Sequence, residues 1–597
     1  MSEMSDSLSV DKTVQQEARR MWWFVLIGTI VGAGVIAFLP VTYAEADDLG
    51  VQMILAGADG FSPAAEVPFL SFFMNQLLLQ LYQLIPGISW YGLLLVLTQT
   101  SGLSLLGYCL LRKLRETPWL GMVFPFFVIF GFFTLLTVTF TQAALTLMFA
   151  VAIAIGSRDG KAGWPTSTRI GLALLLLWAL FWRWKFGLYC LVFFLPLLIV
   201  QLGQMRQYVK LLAIVLCIMA VDRLAHTQYA SPAWQDYMEF YNARAELFDM
   251  PGGRAGDNLD ASLLAAGWSV EDYQLIRQTW MLYDERLTST EAMQAFTKAV
   301  AESGGASIAE QIENNLRDNA QLLYAFIPIG FAVLLLGLKS WAVDPRWQKK
   351  SLALIMLVIP VLFLAYFRLV PRILVPIFLY GFSLLNLWAM PEERGEKRFS
   401  WKQNVTLTPL LLLTFIPVVI GLGSSFLVLN QQWEATQKKS ASYTDVESFV
   451  AELNQPVTLL RTQVSALPGW EGVHPYQRLN PNQNLRVIPS GWQVGSPRYL
   501  RILNDLGYAS GSEMLARFAQ SAEDGEYFVQ RFTNNRGMME LYSEDWLDYL
   551  KRHHTDRPLS NPELNVIAIG NLGHKLSLLK LIAESDEPLE LDSLIPE

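Results

Sequence analysis

The stretch MWWFVLIGTIVGAGVIAFLPVTYAEADDLG, residues 21–50, runs from twenty-four uncharged positions straight into three carboxylates, Glu45, Asp47 and Asp48. Twenty helical residues at 1.5 Å each cover about 30 Å, the thickness of a bilayer's hydrocarbon core. The stretch therefore reads as a membrane span with an acidic cluster a few residues past its exit. Charge so close to lipid is costly. Either the acids only end the helix or solvate the first loop, or they do chemistry at the membrane surface.

The rest of the chain follows the same grammar. Its 597 residues are 52% apolar and only 16% charged, with a mean hydropathy of +0.30. Apolar runs fall at roughly 22–41, 88–111, 119–137, 139–156, 169–181, 184–200, 209–224, 321–340, 351–367, 372–390 and 405–429. The fold class expected is a polytopic α-helical membrane protein with about eleven transmembrane helices. The pair at 169–200 is interrupted by FWRWKFG, which places Arg183 and Lys185 among aromatics.

Short cytoplasmic loops are rich in Lys and Arg. Arg19 and Arg20, RKLRE at 112–116, SRDGK at 157–161, QMRQYVK at 204–210, DPRWQKK at 344–350 and ERGEKR at 393–398 fall on one side under strict alternation. The expectation is a cytoplasmic tail over 1–21 and a membrane module over 22–430, with outer loops at 42–87 and 225–320. A soluble extracytoplasmic domain then covers 431–597. The first span reads as retained, since no small-residue cleavage site follows it.

Within 225–320, WQDYMEFYNARAELFD and SVEDYQLIRQTWMLYDERL repeat apolar residues at three- and four-residue intervals, the pattern of amphipathic helices. Acids beside aromatics there suit either sugar hydroxyls or a helical-hairpin core. Residues 431–597 alternate LRVIPSGW, EYFVQRF and ELNVIAIGNL with helical stretches such as SGSEMLARFAQ, a small mixed α/β domain.

Several function classes lack their signatures. The five histidines, His226, His474, His553, His554 and His574, have no ligand-like partners at short spacing, and HExxH, CxxC, GxSxG and Walker sequences are missing. No basic stripe points to nucleic acid. The three cysteines all lie in apolar runs.

Positive signals gather on the outer side. Segment 67–85, bracketed by Pro68 and Pro86 and carrying Asn75 and Gln76, reads as a helix along the interface, a wall for a cavity with an acidic rim. A partly desolvated carboxylate there can act as a general base. Arg183 and Lys185, with Arg368 and Arg372 in YFRLVPRILVP, lie at outer span ends, where basic residues are unusual. They either snorkel into the headgroup layer or hold an anion such as a lipid phosphate.

EADDLG after a first span, PFLSFFMNQLLLQLY along the interface, the late arginines and an outer C-terminal domain together resemble the GT-C class of integral-membrane glycosyltransferases. FYNARAELFD, GWSVEDY and SGWQVGSPRYLRIL are similar to stretches of bacterial membrane proteins of surface-polysaccharide loci. No WWDYG-like oligosaccharyltransferase signature is present. The resemblance implies a bacterial plasma (inner) membrane enzyme that moves a sugar from a polyprenyl-phosphate carrier to a glycan or protein acceptor on the outer face. It implies inversion at the sugar, with Asp47 or Asp48 as general base. Glu45, Asn75, Arg183, Lys185, Arg244, Arg368 and Arg372 are then the expected substrate-binding residues. The resemblance fixes no cofactor, and a divalent metal held by the acids would be compatible with it. The alternatives are a polysaccharide polymerase or ligase, and a non-enzymatic transporter or flippase for lipid-linked glycan.

Overall fold

A computed structural model describes residues 2–114, 124–157, 164–191, 205–229, 231–248, 259–279, 284–285, 288–302, 308–325, 370–388, 408–452, 457–461, 472–479, 485–489, 491–520, 527–531, 564–569 and 574–579. Helix α1 (Ser2–Ile36) contains both the N-terminal tail and the first span, Thr13–Ile36. A two-residue strand β1 (Thr42–Tyr43) leads into the short acid helix α2 (Ala46–Ala56), then α3 (Phe72–Leu84) and the second long apolar helix, α4 (Trp90–Leu114). Next come α5 (Phe124–Leu136), β2 (Thr137–Val138), α6 (Phe140–Gly156), α7 (Thr166–Trp182), α8 (Trp184–Cys190) and α9 (Met205–Tyr229).

Among the described residues, two helices are long and apolar enough to cross a membrane, or three if the bent pair Leu212–Gln228 and Pro232–Phe248 counts as one span. Helices α5, α6 and α7 are apolar but shorter. The expected spans at 321–340 and 351–367 lie almost entirely outside the described residues. Helix α4 runs close against α6 because Gly102 has no side chain: a Cβ there would meet the Leu147 backbone nitrogen at 2.8 Å. Small residues are the usual means of such approach between membrane helices.

Further along stand helices α10 (Pro232–Phe248), α11 (Leu259–Ala266), α12 (Val270–Thr279), α13 (Thr290–Glu302) and α14 (Ile308–Asp318). Helix α15 (Pro371–Trp388) carries Arg372 near its start. Helix α16 (Thr408–Glu452) then continues unbroken through residue 431, where the sequence suggests a domain boundary. Its polar half, NQQWEATQKKSASY, holds no Gly or Pro to stop it.

The C-terminal strands β3 (Val457–Arg461), β4 (Leu485–Ile488), β5 (Tyr527–Arg531), β6 (Leu564–Ile569) and β7 (His574–Leu579) form one sheet in the order β4-β3-β5-β7-β6. Strand β3 pairs in parallel with β4 and β5, while β7 pairs antiparallel with β5 and β6. Helices α17 (Pro497–Asp505) and α18 (Gly511–Gln520) lie between β4 and β5 in the chain.

The cores ignore the division into parts. Ile54, Leu55, Leu78, Tyr91 and Phe140 share one apolar cluster with Val473, Val487 and Trp492. Leu247, Ile276, Met293 and Phe296 of helices α10, α12 and α13 share another with Ile488, Tyr499, Leu503 and Met514. These C-terminal segments thus pack against the helical body.

Candidate active site

The acid helix is placed by its flanks. Strand β1 lies parallel to β2, with Thr42 opposite Thr137 and Tyr43 opposite Val138. The Ala44 amide adds a hydrogen bond to the Val138 carbonyl at 3.0 Å. This bridge lays the start of α2 beside the start of α6. Glu45 occupies the extended N-cap position, and Asp47 and Asp48 fall in the first turn, where the helix dipole favours negative charge. The helix ends at Gly57, whose φ of 68° suits the left-handed cap.

The three carboxylates have different surroundings. Glu45 pairs with Arg372 at the start of α15. Arg372 also sits in the field of Asp47 and Asp48. Asp47 is half-buried. Asp48 is fully buried, with 0% exposure. Its Oδ1 accepts the Tyr91 hydroxyl at 2.7 Å and the Phe140 amide at 2.9 Å, so it caps α6 and ties it to α4. Burial pushes the Asp48 carboxyl up to about 7, against the Tyr91 hydroxyl, Phe140 amide and Thr139 hydroxyl, which pull it down.

Cations approach from a second direction. Arg183 ends α7, and its guanidinium lies 5.3 Å from the Phe69 ring and 5.2 Å from the Phe140 ring. Phe140 therefore touches Arg183 through its ring and Asp48 through its amide. Lys185 donates to Asn242 Oδ1 at 3.1 Å. It lies within electrostatic reach of Arg183 and Arg223, and Arg223 sits 4.2 Å from the Trp184 ring centroid.

The structure thus joins Glu45 to Arg372 directly and links Arg183 to the Asp48 corner through Phe140. Two other expected residues are embedded in packing. Asn75 is buried and donates to the Val67 carbonyl at 2.8 Å, which closes the turn before α3. Arg244 is buried against the Tyr241 ring. Arg368 lies outside the described residues. Among the described residues, no group of three or more His, Cys, Asp or Glu side chains is placed to hold a metal ion.

Sequence reasoning missed several residues that build this site. Asp222, inside an apolar run, accepts the Phe72 and Phe73 amides at 3.2 and 2.9 Å and so caps α3 from α9. An acid within a hydrophobic stretch was the available signal. Tyr91 and Arg223 gave none beyond their place at span ends.

No family model and no curated protein sequence matches the chain. Among solved structures it is similar to the crystal structure of ArnT from Cupriavidus metallidurans bound to undecaprenyl phosphate. That likeness has 12% identity and a TM-score of 0.45, covering 95% of this chain and 99% of the other. ArnT from the same organism in the apo state gives 11% identity and a TM-score of 0.35, over 96% and 100% of the two chains.

Proposed function

We propose that the chain transfers a sugar from a polyprenyl-phosphate carrier to an acceptor hydroxyl on the outer membrane face, with inversion at the anomeric carbon. The observation that carries this reading is the meeting of Glu45, Asp47 and Asp48 on α2 with Arg372 from a helix more than three hundred residues away. Asp47 is the base. It is the half-buried member of the aspartate pair, whereas Asp48 is enclosed and engaged by Tyr91 and Phe140.

In the transfer, the acceptor oxygen forms a bond to the anomeric carbon as the bond from that carbon to the phosphate oxygen breaks. The breaking bond's electrons leave with the lipid phosphate, and Asp47 takes the hydroxyl proton. Charge developing on the departing phosphate calls for fixed cations. Arg372 supplies one, and Arg183 with Lys185 supplies the others. Glu45 orients the Arg372 guanidinium, and Asp48 holds α2 against α4 and α6. A base of this kind contributes about 10²–10⁴-fold in rate.

The test is to offer the purified full chain, in nanodiscs with an envelope extract as acceptor, a panel of synthetic polyprenyl-phosphate monosaccharides. The expected result is release of free polyprenyl phosphate from at least one donor, coupled to sugar on the acceptor. Release from none of the panel would contradict the proposal.

A further inference from the structure

The acid helix is held from behind by the far end of the chain. Asp59, three residues past α2, forms a two-pronged pair with Arg498 of α17: Nη1 to Oδ2 at 2.5 Å and Nη2 to Oδ1 at 2.9 Å. Nη2 also donates to the Ser62 carbonyl at 2.9 Å. Both side chains are almost wholly enclosed, at 4% and 5% exposure. The Asp59 carbonyl accepts the Val487 amide of β4 at 3.1 Å.

Further contacts act at the middle of α2. Buried Gln52 accepts the Tyr43 hydroxyl at 2.6 Å, and donates to Ser89 Oγ at 2.9 Å and to the Gln477 carbonyl at 3.1 Å. Ser89 in turn donates to the Pro475 carbonyl at 2.6 Å. A Cβ on Gly50 would stand 3.0 Å from Gln493 Nε2. Gly50, Gln52, Asp59 and Ser62 of the acid segment therefore meet Gln493, Gln477, Val487 and Arg498.

A buried ion pair is a weak source of stability, because desolvation offsets most of the attraction. What a forked, fully enclosed pair supplies is direction: both guanidinium nitrogens and both carboxylate oxygens must be in register. That register is passed to α2 through only two intervening residues, Gly57 and Ala58. Resting on the function proposed above, we infer that Arg498 is a positioning residue of the transfer reaction: through Asp59 it sets where α2, and with it Asp47, stands relative to Arg372. A residue 439 positions downstream of Asp59 thereby governs turnover without touching substrate.

Removing one partner alone leaves a buried charge and threatens folding. The test therefore uses Arg498→Lys, which keeps the charge and loses the fork, and the double variant Asp59→Leu/Arg498→Met, which removes both charges. Arg501→Ala is the control, since its pair with Glu66 lies at the rim. Two readouts are taken on the full chain in detergent: kcat and KM for the polyprenyl-phosphate donor, and amide hydrogen exchange of residues 46–56. The expected result is a kcat lower by about 10²-fold in both test variants, since a misplacement of about 1 Å has that effect. KM should hold, and exchange should be faster over 46–56 than in the control. Unchanged kcat with unchanged exchange would overturn the inference and leave the pair purely structural. If no chain, wild type included, shows turnover, the transferase reading fails separately. Exchange alone then decides: faster over 46–56 sustains the lock, and wild-type exchange there refutes it.

Discussion

Replacing Asp48 by Asn separates the two aspartates by stability as well as by rate. Asp48 uses one oxygen for both the Tyr91 hydroxyl and the Phe140 amide, and the Asn side-chain oxygen can accept both. The charge is what changes. Burial raises the carboxyl from 3.8 to about 7. In the window between about pH 4 and pH 7 the folded chain therefore holds a proton that the unfolded chain has released. The unfolded state binds fewer protons there, so unfolding free energy falls as pH rises through the window. Three units at 1.36 kcal/mol each set a ceiling of about 4 kcal/mol, reached above pH 7. The Asn variant has no such term. Its stability relative to wild type should increase by roughly 2–3 kcal/mol between pH 5 and pH 8. Tryptophan-fluorescence melts of both chains in detergent at the two pH values measure this, and comparing the two differences cancels any fixed packing change. Identical pH dependence in the two chains would refute the argument, since Asp48 would then not titrate with a raised value.

Other substitutions probe the same frame. Arg372→Ala removes the partner of Glu45 and a cation in the field of Asp47 and Asp48, and should lower kcat by about 10²–10³-fold in the donor-release assay. Tyr91→Phe deletes a bond to the ionised form of Asp48, so it should destabilise by about 1–3 kcal/mol and do so more at pH 8 than at pH 5. Gly102→Ala pushes a methyl group against the Leu147 and Thr146 backbone and should cost about 1–3 kcal/mol in thermal unfolding. A wild-type melting temperature there would mean that α4 and α6 can separate freely.

Periodicity and charge made the local part of this arrangement readable. The uncharged run at 21–44 predicts the span in α1, while the acids at 45–48, read as a helix end or a loop, open helix α2 instead. Apolar spacing predicts helices over 225–320, and LRVI, YFVQR and LNVIAI become strands. What stayed hidden depends on pairing between distant residues. Nothing local to GADG or SPRY announces that Asp59 and Arg498 meet. Likewise, no periodicity tells that Asp222 finishes the first turn of α3, or that Arg183 rests on Phe69 and Phe140. Nor does the sequence announce that Asn75 bonds the Val67 carbonyl or that Arg244 lies against the Tyr241 ring. The boundary expected at 431 rested on a drop in hydropathy, and helix α16 runs across that position.

The most direct measurement is single-turnover release of polyprenyl phosphate from a monosaccharide donor by wild type and by Asp47→Asn, in the same nanodisc preparation and with melting temperatures matched. A base at Asp47 predicts a rate lower by about 10²–10⁴-fold in the variant, with donor still bound. Equal rates from the two chains would contradict it and leave the acid helix without a chemical role.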